Sequence, residues 1–150
     1  MRRPARLLAR PLPLGERRML SRVLAKAGIP VDDIERPGRV FWRFEAEGQV
    51  PVGYGGLDLY GGDALLHSVL TLPPARHRGV GSLIVAALET EAMVAKCRSV
   101  WIVTAIAAPF FEMLGFAPCP HGDVPAPIAA AARLSSPGDD RVGVLVKHLG

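Results

Sequence analysis

The chain has 150 residues, 49% hydrophobic and 21% charged, enough for one domain over 1–150 that buries roughly 70% of the surface its unfolded form would expose. Its longest nearly unbroken apolar stretch, Val100 to Phe111, carries Thr104 and Pro109 and falls short of the about 20 residues that cross a bilayer; two cysteines, Cys97 and Cys119, make neither a disulfide framework nor a zinc site. The net charge of +4 is local, with six arginines inside residues 1–18 and no aromatic between them, which argues against single-stranded nucleic acid as a partner. The expectation is a soluble protein of the reducing cytoplasm with no membrane or nucleic-acid partner. No metal is expected either, because His67, His77, His121 and His148 show no ligand spacing.

In chain order, Ala5 to Ala9 reads as a first strand ended by Pro11 and Pro13. From Leu14 to Ala27, Leu20, Val23, Leu24 and Ala27 recur at helical spacing with Gly28 and Pro30 just beyond, which predicts an amphipathic helix. After a short turn over Val31 to Glu35, Arg39 to Glu45 alternates Val40, Trp42 and Phe44 against Phe41 and Arg43 as a strand does, and Gln49 to Leu59 continues as its hairpin partner. Gly61-Gly62 turns the chain into a strand over Ala64 to Leu72, closed by Pro73-Pro74. Ser82 opens a second helix that keeps Ile84, Ala87, Leu88, Ala92 and Ala95 on one face. Ser99 to Thr104, with β-branched Val100, Ile102 and Val103, reads as a strand covered on both faces. Pro109 to Leu114 makes a short helix stopped by Gly115, and Val142 to Lys147 a final strand whose exposed edge could pair in a homodimer. Antiparallel strands followed by a strand, helix, strand crossover make an α/β layered fold.

Between the apolar run Leu65 to Leu72 and the second helix lies Arg76-His77-Arg78-Gly79-Val80-Gly81-Ser82. Gly79 and Gly81 admit close approach of the backbone to a ligand, and a helix starting here points its free amides and positive dipole end at an anion. The dinucleotide fingerprint fails for want of a third glycine, and no G-x-x-x-x-G-K run is present. The loop resembles instead the R/Q-x-x-G-x-G/A pyrophosphate loop of the GNAT N-acetyltransferases, with Arg76, Gly79 and Gly81 in the three specified positions and Ser68-Val69-Leu70-Thr71-Leu72-Pro73 as the strand leading into it. A second stretch, Ala107 to Phe116, resembles that family's short helix ending in Gly-Phe.

The resemblance implies the GNAT fold: a mixed, mostly antiparallel twisted sheet of six to seven strands flanked by helices, with splayed central parallel strands. It also implies acetyl-CoA (coenzyme A) as cofactor and acetyl transfer to an amine by direct attack in a ternary complex. On that basis the backbone of Val69, Leu70 and Thr71 pairs with the pantetheine arm, and Arg76, His77, Arg78, Gly79, Val80, Gly81 and Ser82 bind the pyrophosphate. The Leu70 amide becomes the oxyanion donor, a contact whose loss typically costs about 3 to 4 kcal/mol of transition-state stabilisation. Phe111 joins the cofactor contacts at the place of the tyrosine that protonates the departing thiolate in many members, and Leu65 stands where some carry a glutamate. A phenyl ring donates no proton, so solvent, the outgoing ammonium or a hydroxyl such as that of Thr104 must serve.

An α-amine with pKa about 7.7 to 8.0 is roughly a tenth neutral at pH 7, whereas a lysine amine near 10.4 is neutral in about a few parts in ten thousand. Without a strong base, α-amines are favoured. Asp58, on the strand beside the splay, is placed to act as base or to orient water, with Asp63 the other nearby carboxylate. Trp42, Arg43, Tyr60, His67 and Arg133 are the candidate contacts to a small-molecule amine, arginine suiting a carboxylate or phosphinate group. Gly55 to Gly61, the Phe110-Phe111 pair and Asp123-Val124-Pro125 look like the arsenic-resistance-associated N-acetyltransferases, which implies small amino-acid-like acceptors. Departures are His67 at a commonly basic arginine position and the missing Cys-Pro segment over Ala129 to Val144. Two other functions stay open: acetylation of a protein or peptide amine, and a non-catalytic acetyl-CoA-binding regulatory module.

Overall fold

The computed structural model describes residues 7–29, 31, 33–76, 79–132 and 142–150. Seven strands, β1 (Leu8–Pro11), β2 (Arg39–Ala46), β3 (Val50–Tyr60), β4 (Asp63–Thr71), β5 (Ser99–Thr104), β6 (Ala117–Pro118) and β7 (Gly143–His148), form one sheet in the order β1-β2-β3-β4-β5-β7-β6. Four α-helices accompany it: α1 (Leu14–Lys26), α2 (Val80–Val94), α3 (Ala108–Met113) and α4 (Ala126–Ala131). The β4–β5 pair is parallel, while β1–β2, β2–β3, β5–β7 and β6–β7 are antiparallel. This is the mixed, mostly antiparallel sheet expected, with seven strands.

Internal contacts divide the chain into two compact units. The first comprises Met1–Asp58 and Leu66–Glu91. In it α1 lays Leu20 and Leu24 on Phe41, Leu70 and Leu12, each burial of such a side chain contributing about 1.5–3 kcal/mol. The helix ends where predicted: Gly28 N–H donates to the Ala25 carbonyl and Ile29 N–H to that of Leu24, at 3.0 and 2.8 Å, the paired bonds of a glycine-terminated helix. On α2, Ile84, Val85 and Leu88 are fully buried. β3 makes room for them with glycines, since a Cβ at Gly55 would meet Leu88 Cδ1 at 2.7 Å and one at Gly53 would meet Ile84 Cδ1 at 2.5 Å and the Leu70 carbonyl oxygen.

That carbonyl is main chain and cannot swing aside. Gly53→Ala is therefore expected to cost about 1–3 kcal/mol through overpacking, read as a lower urea midpoint. Gly62→Ala, where nothing lies within 4 Å of the new Cβ, is expected to stay within about 0.5 kcal/mol of the parent. Equal midpoints for the two variants would show that close approach is not what Gly53 provides.

The second unit comprises Leu59–Leu65 and Ala92–Gly150. Here β5 lies between the opening of β4 and β7, and Leu65, Trp101, Ile128 and Val144 form the core with Tyr60 packed against it. The Trp101 indole donates to Asp63 Oδ1 at 2.9 Å, which occupies that carboxylate. Phe111 of α3 is buried edge-to-face against Phe110 and Phe116, centroids 5.0 and 5.5 Å away.

The exposed edge expected along Val142 to Lys147 is not there. β6 pairs Ala117 with Val146 and Pro118 with Leu145, and Cys119 N–H donates to the Val144 carbonyl at 2.8 Å. The terminal strands of the sheet are β1 and β6, so an edge-paired homodimer through β7 loses its basis. α2 starts at Val80 rather than Ser82, and α4 and β6 were not expected from sequence. Among the described residues no helix is long and apolar enough to cross a membrane.

Candidate functional site

The parallel β4–β5 ladder contains three pairs and stops at Leu65↔Trp101, while β4 itself runs on to Thr71. Three residues beyond the last pair, Ser68 has a φ of +57°, a left-handed conformation that costs a residue with a Cβ about 1–2 kcal/mol. Val69, Leu70 and Thr71 follow it to the end of β4. Leu70 sends its side chain into the α1 cluster, so any binding role of this residue falls to its backbone.

β4 leads through a 3-10 turn, Pro73–Ala75, to Arg76 and then to Gly79 at the start of α2. Arg76 is exposed, and its Nε donates to the Thr71 carbonyl at 3.2 Å, tying the end of the strand to the loop. Gly79 has a φ of +72°. Val80 is buried and anchors the first helical turn, while Gly81 and Ser82 are partly exposed. The opening amides of a helix lack partners within it and carry the positive end of its dipole. A left-handed glycine, a second residue without Cβ and a neighbouring guanidinium suit a diphosphate here. His77 and Arg78 lie outside the described residues.

Asp58 is 1% exposed and fully engaged. Arg39 forks onto it, Nε to Oδ1 at 2.8 Å and Nη2 to Oδ2 at 2.9 Å; Arg36 Nη2 reaches Oδ2 at 2.8 Å and His67 Nε2 reaches Oδ1 at 3.0 Å. Burial pushes this carboxyl up, but the hydrogen bonds and charge from His67 and Arg39 outweigh burial and hold it well below the usual carboxylate range. A carboxylate so acidic is a poor proton acceptor. The expected role of Asp58 as a base is corrected to that of an ionised anchor.

His67 extends the anchor in the other direction. Its Nδ1 lies 2.9 Å from Ser68 Oγ, its ring meets Phe41 edge-on at 5.3 Å, and a Cβ on Gly56 would sit 2.5 Å from its Cε1. Behind Phe41, Arg17 of α1 is 8% exposed, stacks on the ring at 5.4 Å and donates to the Ile34 carbonyl at 3.0 Å.

The remaining candidates scatter. Arg43 binds Glu45 at 2.9 Å, which Arg10 also grips at 2.7 Å, and the three line an open cavity of about 410 Å³ with Gln49, Pro51 and Tyr54. The Arg10 hydrogen bond in particular holds the Glu45 carboxyl below its usual range, and the bond to Glu45 raises Arg43. Trp42 is buried on the other face of β2, because successive strand residues alternate, so it does not share a groove with Arg43. Tyr60 is half-buried and packs against the core of the second unit. Thr104 Oγ1 accepts from the Ala107 and Ile106 amides at 2.9 and 3.3 Å, bracing the turn that leads into α3. Arg133 lies outside the described residues. Sequence reasoning missed Arg36, Arg39 and Ser68, although Arg39 stands directly opposite Asp58 in the β2–β3 register.

A model of the acetyltransferase (GNAT) family matches residues 10–116, well over half of the chain. The chain belongs to the GNAT acetyltransferase family. GNAT enzymes use acetyl-CoA. The fold is similar to that of N-acetylglutamate synthase from Neisseria gonorrhoeae complexed with coenzyme A and N-acetyl-glutamate, with a TM-score of 0.75 and 18% identity over 97% of this chain and 36% of that one. This GNAT chain thus spans about a third of the length of that synthase. Rv2747 from Mycobacterium tuberculosis, in complex with CoA and NLQ, matches at TM-score 0.70 and 17% identity over 95% and 99% of the two chains. An acetyltransferase from Thermus thermophilus matches at 0.65 and 22% over 99% and 100%. Among curated proteins none matches the sequence at a significant level.

Proposed function

We propose that this GNAT enzyme moves the acetyl group of acetyl-CoA to the α-amine of a small amino-acid-like acceptor by direct attack in a ternary complex. The observation that carries the reading is the left-handed φ of Ser68 within β4, with a left-handed Gly79 eleven residues further on at the start of α2. Val69, Leu70 and Thr71 offer peptide groups to the pantetheine arm, and the Leu70 amide donates to the carbonyl oxygen as charge gathers on it. Arg76 and the amides of Gly79 to Ser82 hold the pyrophosphate. Bound there, acetyl-CoA supplies an activated acetyl group and a thiolate leaving group.

The acceptor class follows from amine acidity. The arginines at Glu45 and Asp58 are taken up by those carboxylates, whereas an α-amine is neutral at pH 7 in a far larger fraction than a lysine-type amine, so an enzyme without a strong base favours it. The synthase similar in fold is complexed with N-acetyl-glutamate, which supports the same class, and phosphinic and arsenical amino-acid analogues share its charge. Phe111 has no proton to give, so the thiolate takes its proton from the attacking nitrogen or from a hydroxyl such as that of Thr104, whose oxygen accepts two amide hydrogen bonds and leaves its own proton free.

Steady-state acetyl-CoA consumption tests the class. Amino acids and their phosphinic or arsenical analogues are expected to exceed spermidine and lysine-containing peptides by about tenfold or more in kcat/KM, the direction set by neutral-amine fractions. A preference for spermidine or for peptides would reverse the assignment.

A further inference from the structure

Across the first three strands of the sheet, one row of paired residues carries two arginines and a tyrosine. Arg10 of β1 stands opposite Arg43 of β2, which in turn stands opposite Tyr54 of β3, and directly opposed residues share a face of the sheet. Glu45 is 3% exposed and takes up only the Nε of each arginine, at 2.7 Å from Arg10 and 2.9 Å from Arg43. Among the described residues the outer Nη groups of both arginines have no hydrogen-bond partner. Their side chains are 44% and 31% exposed and line the open cavity of about 410 Å³, a volume within the range of small-molecule sites.

The backbone is irregular at this place. Glu45 pairs with Pro51 and Phe44 with Gly53, which leaves Val52 as an extra residue in β3, the two-against-one count of a β-bulge. Val52 is fully buried, and its carbonyl accepts from the Leu72 amide at 2.9 Å. Pro51, with no N–H to leave unpaired, is exposed and borders the cavity. Just before it, Gly48 and Gln49 are both left-handed, with φ of +75° and +63°. A residue with a Cβ keeps such a conformation only where its surroundings hold it, and strain of this kind clusters at functional sites. Turn and bulge together bring Gln49 to the cavity that Arg43 and Tyr54 line.

Arg10, Arg43 and Glu45 sum to one positive charge, and the exposed Glu16 of α1 acts on Arg43 less than Glu45 does. A carboxylate brings the single negative charge that balances the three, with two oxygens to accept from planar N–H forks. A dianion such as sulfate would set a second negative charge beside Glu45. The carboxylate of the acceptor itself does not reach here. Arg43 stands two strands from β4, about 10 Å at the spacing of a sheet, whereas an α-amino acid with its amine at Leu70 has its carboxylate one carbon away. We propose that this cavity is a second ligand site, for a small carboxylate held by the Nη forks of Arg10 and Arg43. The site stands whichever amine the enzyme acetylates.

Calorimetry on the full chain tests it with succinate, with the neutral diamide of succinate and with sulfate. Succinate is expected to bind with a Kd of about 1 mM or tighter, in the presence of saturating acetyl-CoA as in its absence, and the diamide at least about tenfold more weakly. Arg10→Lys and Arg43→Lys keep the charge that Glu45 faces but lose the planar fork, so each is expected to lose about tenfold in succinate affinity while its circular dichroism stays that of the parent. Comparing succinate with its diamide needs no variant, so it decides the matter without the lysine chains. Diamide binding equal to that of succinate, displacement of succinate by acetyl-CoA, equal affinity in the parent and the folded lysine variants, or no succinate binding at all would each overturn the site. Sulfate binding tighter than succinate would overturn the choice of a carboxylate.

Discussion

Gly79→Asp is expected to abolish measurable acetyl-CoA binding in a chain that remains folded. At a φ of +72° any residue with a Cβ carries about 1–2 kcal/mol of strain. The new carboxylate also stands at the helix start where the diphosphate charge belongs, and two like charges about 4 Å apart near a protein surface repel by about 4 kcal/mol. The strain is carried by the free and bound chain alike, so the repulsion alone weakens binding, by about 10³-fold at tenfold per 1.4 kcal/mol. The fold tolerates the change, because a negative charge at a helix N-terminus is itself mildly favourable. Calorimetry is the direct readout, and a Kd within about tenfold of the parent's would remove the pyrophosphate from this loop. Gly79→Ala carries the strain without the charge, so it is expected to lower stability while losing far less affinity.

Asp58→Asn is expected to be the most destabilising single change in the first unit. It leaves Arg36 and Arg39 around a neutral amide, and breaking a buried pair from one side typically costs about 3–5 kcal/mol, a large fraction of the about 5–15 kcal/mol that holds a domain together. The pH dependence has a definite sign. The folded carboxyl is held below its ordinary value of 3.8, so the unfolded chain takes up the proton first. Its contribution is complete above about pH 4 and is lost as pH falls further. The gap in urea stability between parent and Asp58→Asn should therefore be constant from neutral pH to about 4 and narrow below it. A gap that is absent at pH 7, or that widens in acid, would contradict the anchor.

How far these features can be read from sequence differs by element. α1 was legible through Leu20, Val23 and Leu24 and the glycine that stops it, and β5 through its β-branched run; both end where the pattern says. β6 has two residues and α4 six, behind a run containing Pro118, Pro120, Pro125 and Pro127. Neither is long enough to show a period, and missing β6 turned β7 into a false edge. The loop was legible because glycine spacing and a flanking arginine are local chemistry.

The cluster around Asp58 was not legible as such, since it depends on pairing across two hairpins. Counting back from the two-residue turn Gly61-Gly62 sets Gly56 opposite His67, and the vacancy on glycine lets the ring lean toward Asp58, two residues along the same face. That arithmetic was available. The kink at Ser68 was not, because nothing in the residue type announces a left-handed serine. Trp42 shows the opposite error: an aromatic residue near a suspected groove went into the core, where many such side chains go.

The most direct test of the central claim is to mix the chain with acetyl-CoA and a panel of amino acids and to follow free coenzyme A and N-acetylated product together by mass spectrometry. The expected result is an N-acetyl amino acid formed in step with released coenzyme A, and its loss in Gly79→Asp. Coenzyme A release no faster than spontaneous hydrolysis, with every amine recovered unmodified, would contradict it.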